Sequence, residues 1–399
     1  MTAALRHYLI ITGNYWAFTL TDGAIRMLVV LHFYQMGYSP FAIAMLFVFY
    51  EVFGIVTNFV GGWLGARIGL NRTMQLGTAL QIGALLMLTV PNPMLTVVYV
   101  MVAQALSGIA KDLNKMSAKA GVKLVAGAAD DQLFKWVAWI TGSKNALKGA
   151  GFFLGAVLLA WLGFQGANFT LALLLVLGFM ATLTLPAGLG AMKGKVKFSG
   201  LFAQEPAINW LAAARLFLFG ARDVWFVVAL PVYLVSIGWD FEWVGAYLAL
   251  WVVGYGLVQA SAPSFLKNTQ GGVGVLTALR WSLILIAAPL LIWVGLMAKL
   301  NPSWVITLGL AVFGAVFAIN SAVHSYLILK VSSLDKAAMN VGFYYAANAG
   351  GRLLGTVLSG YAYQTIGMTG CLLISAGFIG LAAGFTLKMS QSIAAQSPA

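Results

Sequence analysis

Several charged side chains lie within long apolar runs of this sequence. Charged residues are rare in membrane-spanning runs of this kind and usually have a specific role. The run NYWAFTLTDGAIRMLVVLHFY, residues 14–34, places Asp22 and Arg26 four positions apart. Side chains four residues apart on a helix lie on the same face. The two groups therefore either neutralise each other as an intrahelical ion pair or face a polar cleft that holds a charged ligand. The sequence leaves both interpretations open.

Other apolar runs carry charged residues in the same way. Those well inside a run are Asp22, Arg26, Glu51, Lys144, Lys148, Arg222, Asp223 and Arg352, and those nearer a predicted helix end are Lys111, Asp112, Lys115, Arg215 and Arg280. Basic residues outnumber acidic ones in this set, and a buried positive surplus is costly unless an anion offsets it. Arginine can bond two oxygens of a phosphate-like group, and lysine acts as a compact point charge. The pattern therefore favours binding of an anion.

Residue spacing assigns these side chains to helix faces. Three faces carry several polar residues, namely Lys144 with Lys148, Arg215 with Arg222, and Tyr344 with Asn348 and Arg352. Arg222 and Asp223 are adjacent, so we expect them to point to different faces. Glu51 either carries a proton or pairs with a nearby lysine. Arg280 is expected at the membrane interface.

The composition excludes an ordinary soluble protein. Of 399 residues, 61% are hydrophobic and 8% are charged, whereas soluble domains carry about 25% charged residues. Apolar stretches long enough to cross a hydrocarbon core of about 30 Å recur along the chain. Cys371 is the single cysteine and the three histidines lie far apart, so we expect no metal and no cofactor. No basic stretch with interleaved aromatic residues points to a nucleic-acid partner.

Apolar runs bounded by Gly, Pro and charged residues predict an all-α polytopic membrane protein. The twelve predicted transmembrane helices span 8–33, 41–65, 73–90, 94–117, 134–161, 166–186, 207–236, 242–263, 275–298, 303–329, 338–363 and 368–388. Loops after even-numbered helices carry Lys and Arg, whereas those after odd-numbered helices carry almost none. Because cytoplasmic loops collect positive charge, we expect both termini in the cytoplasm.

The chain also resembles itself at an offset of about 200 residues. The aligned features are Asp22 with Asp223, Gly37 with Gly238, and NALKGAGFFLGAVL (145–158) with YAANAGGRLLGTVL (345–358). The glycine pairs inside the last alignment, Gly151 with Gly155 and Gly351 with Gly355, are typical of close helix packing.

The longest hydrophilic connection separates two six-helix halves. We predict an N-terminal bundle over 1–190, a cytoplasmic linker over 191–206, and a C-terminal bundle with a short cytoplasmic tail over 207–399. Parallel six-helix repeats are the architecture of major facilitator transporters, which bind substrate between the halves.

The loop after the second helix, GGWLGARIGLNR, resembles the signature of the major facilitator superfamily at that place. Gly62, Arg67, Gly69 and Arg72 match the signature, and Ala66 stands where the family usually has aspartate. A gating ion pair that uses that aspartate is therefore in doubt for this chain.

A narrower resemblance runs through the whole chain. The stretches NYWAFTLTDGAIRMLVVLHF, FYEVFGIVTNFVGGWLGARIGLNRT, AQALSGIAKDLNKMSAKAGVKL, TGSKNALKGAGFFLG and AARLFLFGARDVWFVVALPVYL resemble the organoarsenical efflux permeases called ArsJ. The resemblance implies a transporter of the bacterial inner membrane that exports 1-arseno-3-phosphoglycerate. Glyceraldehyde-3-phosphate dehydrogenase, the implied functional partner, makes this ester when arsenate replaces phosphate.

The resemblance to major facilitator proteins implies that helices one, four, seven and ten line the substrate cavity. The candidate substrate-binding residues are Arg26, Lys111, Lys144, Lys148, Arg222, Tyr344, Asn348 and Arg352. The candidates for proton coupling or gating are Asp22, Glu51, Asp112 and Asp223. Helix ten contributes Asn320, Ser321 and His324, of which the histidine is more typical of a structural role.

Three classes of function compete. The first is an exporter of the arseno-ester by alternating access, coupled to proton entry. The second is another facilitator-type transporter, either an antiporter of a different organophosphate or organic anion, or a multidrug pump with fewer buried lysines. The third is a membrane enzyme, which needs a nucleophile and base or a metal cluster that the scattered histidines and carboxylates do not suggest.

Overall fold

The structure is a computed structural model in which the described chain consists mainly of α-helices. It describes residues 3–68, 70–126, 130–185, 205–266, 274–331 and 337–396. Within these ranges, side chains are described for all residues except 3–5, 8, 59–68, 70, 116, 119–126, 130–142, 263–264, 329, 337–342 and 395–396. No strand occurs in the described ranges. The all-α prediction is confirmed.

Each of the twelve predicted helices corresponds to described helix. The helices are α1 (Ala3–Gln35), α2 (Pro40–Met45), α3 (Val48–Ile68), α4 (Leu70–Met87), α5 (Val97–Ala126), α6 (Asp130–Thr182), α7 (Pro206–Phe226), α8 (Ala229–Ser236), α9 (Phe241–Phe265), α10 (Val275–Met297), α11 (Pro302–Val331), α12 (Ala337–Ile366) and α13 (Met368–Gln396), with a short 3₁₀ turn at Asn92–Met94. The predicted second helix comprises α2 and α3, and the predicted seventh comprises α7 and α8. The predicted fifth and sixth helices run together as α6, with a break at Gly163.

Proline explains the break between α7 and α8. Pro231 has no backbone N–H, and its ring displaces the carbonyl four residues earlier, at Val227, where α7 ends. The hydroxyl of Ser359 on α12 accepts hydrogen bonds from the N–H groups of Val228 (3.3 Å) and Ala229 (3.0 Å). This hydroxyl therefore satisfies backbone groups at the break.

Equivalent turns follow equivalent helices of the repeat. Gly37 and Gly238, which the sequence aligned, have φ values of 80° and 93°. This left-handed conformation is easy for glycine and costly for residues with a Cβ. Gly163, at the break in α6, and Gly367, between α12 and α13, also have positive φ, at 67° and 82°.

The described chain divides into two compact units. The first comprises Met1–Gly37, Met45–Val196 and Asp240–Val253, and the second comprises Tyr38–Ala44, Lys197–Trp239 and Gly254–Ala399. Each unit is therefore built mainly from one half of the sequence and includes a short segment of the other half. The proposed linker 191–206 lies almost entirely outside the described residues, and the domain boundaries stay predictions.

Glycines allow the closest helix contacts within each unit. A Cβ added at Gly151 or Gly155 of α6 would come within 2.4 Å of a carbonyl oxygen of α1. A Cβ at Gly351 or Gly355 of α12 would come within 2.8 Å of a carbonyl oxygen of α7. The interpretation of these pairs as helix-packing positions is confirmed.

One substitution pair tests this packing. A Cβ at Gly351 would lie 2.0 Å from the carbonyl oxygen of Leu216, whereas a Cβ at the neighbouring Gly350 would meet only a Leu216 methyl group at 3.7 Å. We expect Gly351→Ala to lower the unfolding free energy by about 1–3 kcal/mol through overpacking. Gly350→Ala should be neutral or slightly stabilising, since alanine favours helix. Thermal unfolding of the purified proteins checks this, and equal melting temperatures for the two variants would contradict it.

Seven described segments are long and apolar enough to cross a membrane by themselves. Helices α1, α5 and α12 are not among them, and they carry many of the candidate site residues. These polar side chains lower the hydropathy of their own helices. We therefore expect that these helices depend on burial against their neighbours.

Candidate functional site

Asp22 of α1 lies at the centre of a polar cluster in the first unit. Its carboxylate is buried and accepts a hydrogen bond of 2.6 Å from the Tyr50 hydroxyl on α3. Lys148 Nζ on α6 lies 3.9 Å from the other carboxylate oxygen. Gly23 and Gly151 bring α1 and α6 close enough for this pairing. No pattern in the sequence indicates a role for Tyr50 in the site.

Arg26, one turn further along α1, makes its ion pair elsewhere. Its guanidinium donates a hydrogen bond of 3.1 Å to Glu51 of α3, and both side chains are almost fully buried. The rings of Phe47 and Tyr50 lie 5.2 Å and 5.0 Å from the guanidinium carbon. Of the two interpretations of Asp22 and Arg26, the isolated intrahelical pair is wrong, because each residue bonds to other helices. Glu51 pairs with Arg26 here, and a lysine partner for it stays a prediction.

A second group of ions in the same unit surrounds Asp112 of α5. Lys115 Nζ lies 2.6 Å from one carboxylate oxygen, and Lys111 Nζ lies 3.8 Å from the other. Lys115 also donates a hydrogen bond of 2.8 Å to Asn58 of α3. Lys111 lies 4.1 Å from the centre of the Tyr50 ring, so this tyrosine contacts both groups of ions.

Lys144 lies one turn before Lys148 on α6 and is half-buried. The adjacent Ser143 accepts a hydrogen bond of 2.9 Å from the Trp16 indole. The role of Lys144 in substrate binding stays a prediction.

In the second unit, Asp223 of α7 joins two arginines. Arg222 Nε donates a hydrogen bond of 2.6 Å to one carboxylate oxygen. Arg352 Nε on α12 lies 3.4 Å from the other oxygen, which is an ion-pair distance without hydrogen-bond alignment. The expectation that Arg222 and Asp223 point apart is wrong, because the long arginine side chain bends back to the neighbouring carboxylate.

Tyr344, Asn348 and Arg352 share a face of α12 but contact two different charged residues. Asn348 accepts a hydrogen bond of 2.9 Å from Arg215 Nε, and the Tyr344 ring lies 5.0 Å from the Arg215 guanidinium carbon. Arg352 instead contacts Asp223. The sequence places Arg215 near a helix end, and Arg215 is not among the predicted site residues. Its position two turns before Arg222 on the same face was the available signal.

Among the described contacts, cations outnumber carboxylates in each unit. In the first, Asp22, Glu51 and Asp112 are contacted by Arg26, Lys111, Lys115 and Lys148, so three carboxylates contact four cations. In the second, Asp223 contacts two arginines. Most of these cations are only partly buried, whereas the carboxylates that they contact are buried. Such an arrangement can bind an anion and exchange it for an internal ion pair.

Three further features of the sequence concern a metal site, the signature loop and the single cysteine. Among the residues that the structure describes, no three His, Cys, Asp or Glu side chains lie together in a way that could hold a metal ion. Residue 69 lies outside the described ranges and the side chains of Ala66 and Arg67 are not described, so the match of Gly62, Ala66, Arg67 and Gly69 to the signature stays a prediction. Cys371 is buried.

Comparisons with solved structures identify the fold. A mutant of the nucleoside transporter NupG matches with a TM-score of 0.73 at 15% identity, covering 98% of this chain and 100% of that one. A D-xylose-proton symporter matches with a TM-score of 0.71 at 13% identity, covering 97% of each chain. The chain has the major facilitator fold. A POT family transporter in complex with a thioalcohol-conjugated peptide also matches, with a TM-score of 0.75 at 12% identity and 96% of each chain covered.

The seven apolar segments together with this fold support a multi-pass membrane protein, as the sequence predicted. No protein-family profile matches the chain, and no curated protein sequence matches it either. The identities of 12–15% show a common fold and carry no information on the substrate.

Proposed function

We propose that this chain is a membrane transporter of small organic anions. The supporting observation is the pair of clusters, one in each compact unit of a major facilitator fold, in which partly buried cations outnumber the buried carboxylates that they contact. An anion with phosphate-like groups offsets such a surplus, and the fork geometry of arginine suits those groups. A cavity for a cationic drug would need the opposite sign of charge, so the clusters disfavour a multidrug pump. An enzymatic role has no comparable support.

The specific substrate that we propose is 1-arseno-3-phosphoglycerate, exported from the bacterial cytoplasm. The resemblance to ArsJ permeases supports this choice. By analogy with phosphate, the ester carries about three to four negative charges. The candidate ligands for its oxyanion groups during alternating access are Arg26, Lys111, Lys144 and Lys148 in the first unit. In the second unit they are Arg222 and Arg352. Protonation of Asp22, Glu51, Asp112 or Asp223 weakens an internal ion pair, and this change couples proton entry to export.

An antiporter of another organophosphate is the second candidate. The same clusters would serve it, because they recognise phosphate-like oxygens and not arsenic itself. The single cysteine also disfavours capture of trivalent arsenic by thiolates. Only competition between substrates separates the two candidates.

Energised everted vesicles that contain the full-length protein test the proposal. Labelled arsenate is supplied alone, or together with glyceraldehyde 3-phosphate, NAD and the dehydrogenase. We expect accumulation only with the complete mixture. Accumulation of arsenate alone would instead indicate an oxyanion pump. No accumulation in either case would overturn the arsenical assignment and leave phosphorylated three-carbon acids as the next candidates.

A further inference from the structure

Arg215 of α7 is a buried cation without an acidic partner among the described residues. It is 4% exposed, and its hydrogen bonds go to neutral groups. Nε donates to Asn348 Oδ1 at 2.9 Å, and Nη1 donates to the hydroxyl and the carbonyl oxygen of Ser321 at 3.0 Å and 3.2 Å. In a low-dielectric interior, a cation that has only neutral partners favours binding of an anion.

His324 adds a second, independent observation. It lies on α11, three residues after Ser321 and therefore near the same face of that helix. It is completely buried, and neither ring nitrogen has a hydrogen-bond partner among the described residues. Buried polar groups in native proteins are nearly always satisfied. An imidazole N–H that is left unsatisfied beside a buried arginine indicates an absent acceptor.

Neutral hydrogen-bond donors also lie near Arg215 and Ser321. Gln259 Nε2 and Tyr255 Oη of α9 lie 3.4 Å and 3.5 Å from the Ser321 hydroxyl. Both residues are half-buried, as is Asn348, so the cluster is not sealed. The Phe219 ring lies 4.0 Å from the guanidinium carbon. Arg215 Nη2 makes no hydrogen bond to a described residue and can donate to a ligand.

We propose that Arg215 and His324, with the amide of Gln259 and the hydroxyl of Tyr255, form an oxyanion site for a phosphate-type group of the transported molecule. The site belongs wholly to the second unit and is separate from the ion pairs of Asp223. A tetrahedral oxyanion supplies the countercharge that Arg215 lacks and an acceptor for His324. This inference rests on the proposed function and deepens it, because it assigns one oxyanion group of the substrate to named residues.

Ligand binding to the purified full-length protein in detergent tests the site. The probes are inorganic phosphate and 3-phosphoglycerate, a stable phosphorylated three-carbon acid. We expect 3-phosphoglycerate to raise the melting temperature of the unsubstituted protein and Arg215→Gln to weaken its binding by about tenfold or more. Arg280→Gln, which removes an exposed arginine of α10, should bind like the unsubstituted protein. Unchanged affinity in a folded Arg215→Gln variant would overturn the proposal.

A purely structural role for Arg215 gives a different pattern. In that case, Arg215→Gln would lower the melting temperature of the protein without changing the increase in melting temperature that the ligand produces. If Arg215→Gln does not fold, Arg215→Lys keeps the charge, loses the planar fork, and should still weaken binding. Ligand-induced shifts that equal those of the unsubstituted protein would then contradict the site.

Vesicle transport separates this inference from the proposed function. If the unsubstituted protein carries the arseno-ester and the Arg215 variants carry it equally well, the site is wrong and the proposed function stands. If 3-phosphoglycerate binds in an Arg215-dependent manner but the arseno-ester is not carried, the site stands and the arsenical assignment falls. If the unsubstituted protein neither binds the probes nor carries the ester, both are wrong.

Discussion

Replacing Arg352 by alanine is expected to abolish transport of the phosphorylated ester while leaving the protein folded in the membrane. Arg352 lies 3.4 Å from one oxygen of Asp223, and Arg222 donates to the other at 2.6 Å. Asp223 therefore keeps one cation when Arg352 is lost. Removing one cation of a desolvated charge pair costs about 2–5 kcal/mol, and the lower end of that range, which suits the partly buried Arg352, corresponds to about a 30-fold loss of affinity.

Lys148→Ala should behave in the same way, because Tyr50 still donates to Asp22 at 2.6 Å. The measurement is uptake of the arseno-ester into everted vesicles, together with the arsenate tolerance of cells that make each variant. Arg280→Ala is the matched control, since this arginine is exposed on α10. Arg352→Lys keeps the charge without the fork and should retain part of the activity. Normal transport by both alanine variants would show that neither cation binds the substrate.

The fold could be predicted from sequence because lipid imposes simple rules on the chain. A membrane helix needs a long apolar run, and runs bounded by Gly and Pro gave twelve helices that the structure contains. The internal repeat aligns Gly37 with Gly238, and both lie at turns with positive φ. The turn at Gly163 was located too, although it proved to be a sharp break in one helix.

The broken helices were missed for different reasons. Pro231 was a readable signal for the end of α7, since its ring excludes the carbonyl of Val227 from a regular helix. The break between α2 and α3 has no proline or glycine at residues 46–47. We have no physical account of it.

Partner choice within the site could not be predicted. Sequence spacing identifies side chains that share a face of one helix, but ion pairs between helices depend on their register and distance. Asp22 meets Lys148 because Gly23 and Gly151 bring α1 and α6 together, and no periodicity in either helix specifies that contact. Arg215 was missed because distance along a helix is a poor measure of burial once other helices pack around it.

The pair of Arg26 and Glu51 offers the sharpest test of what a buried charge contributes. Glu51 is completely buried, and the side chain of Arg26 is 6% exposed. Removing one member of such a pair leaves a buried charge without its partner, which costs about 3–5 kcal/mol. We therefore expect Arg26→Gln and Glu51→Gln each to destabilise the protein strongly. Arg26→Gln should be the worse, because it also removes the contacts with Phe47 and Tyr50.

The double variant, Arg26→Gln with Glu51→Gln, should recover most of the lost stability, because neither buried charge remains. Unfolding of the four purified proteins gives the coupling energy directly. Additive losses, with coupling below about 0.5 kcal/mol, would contradict a direct interaction. Transport by the double variant then separates structure from mechanism. If Arg26 binds the anion and Glu51 carries the proton, stability returns while transport stays lost. Recovery of both stability and transport would show that the pair has only a structural role. Proton coupling would then depend on Asp22, Asp112 or Asp223.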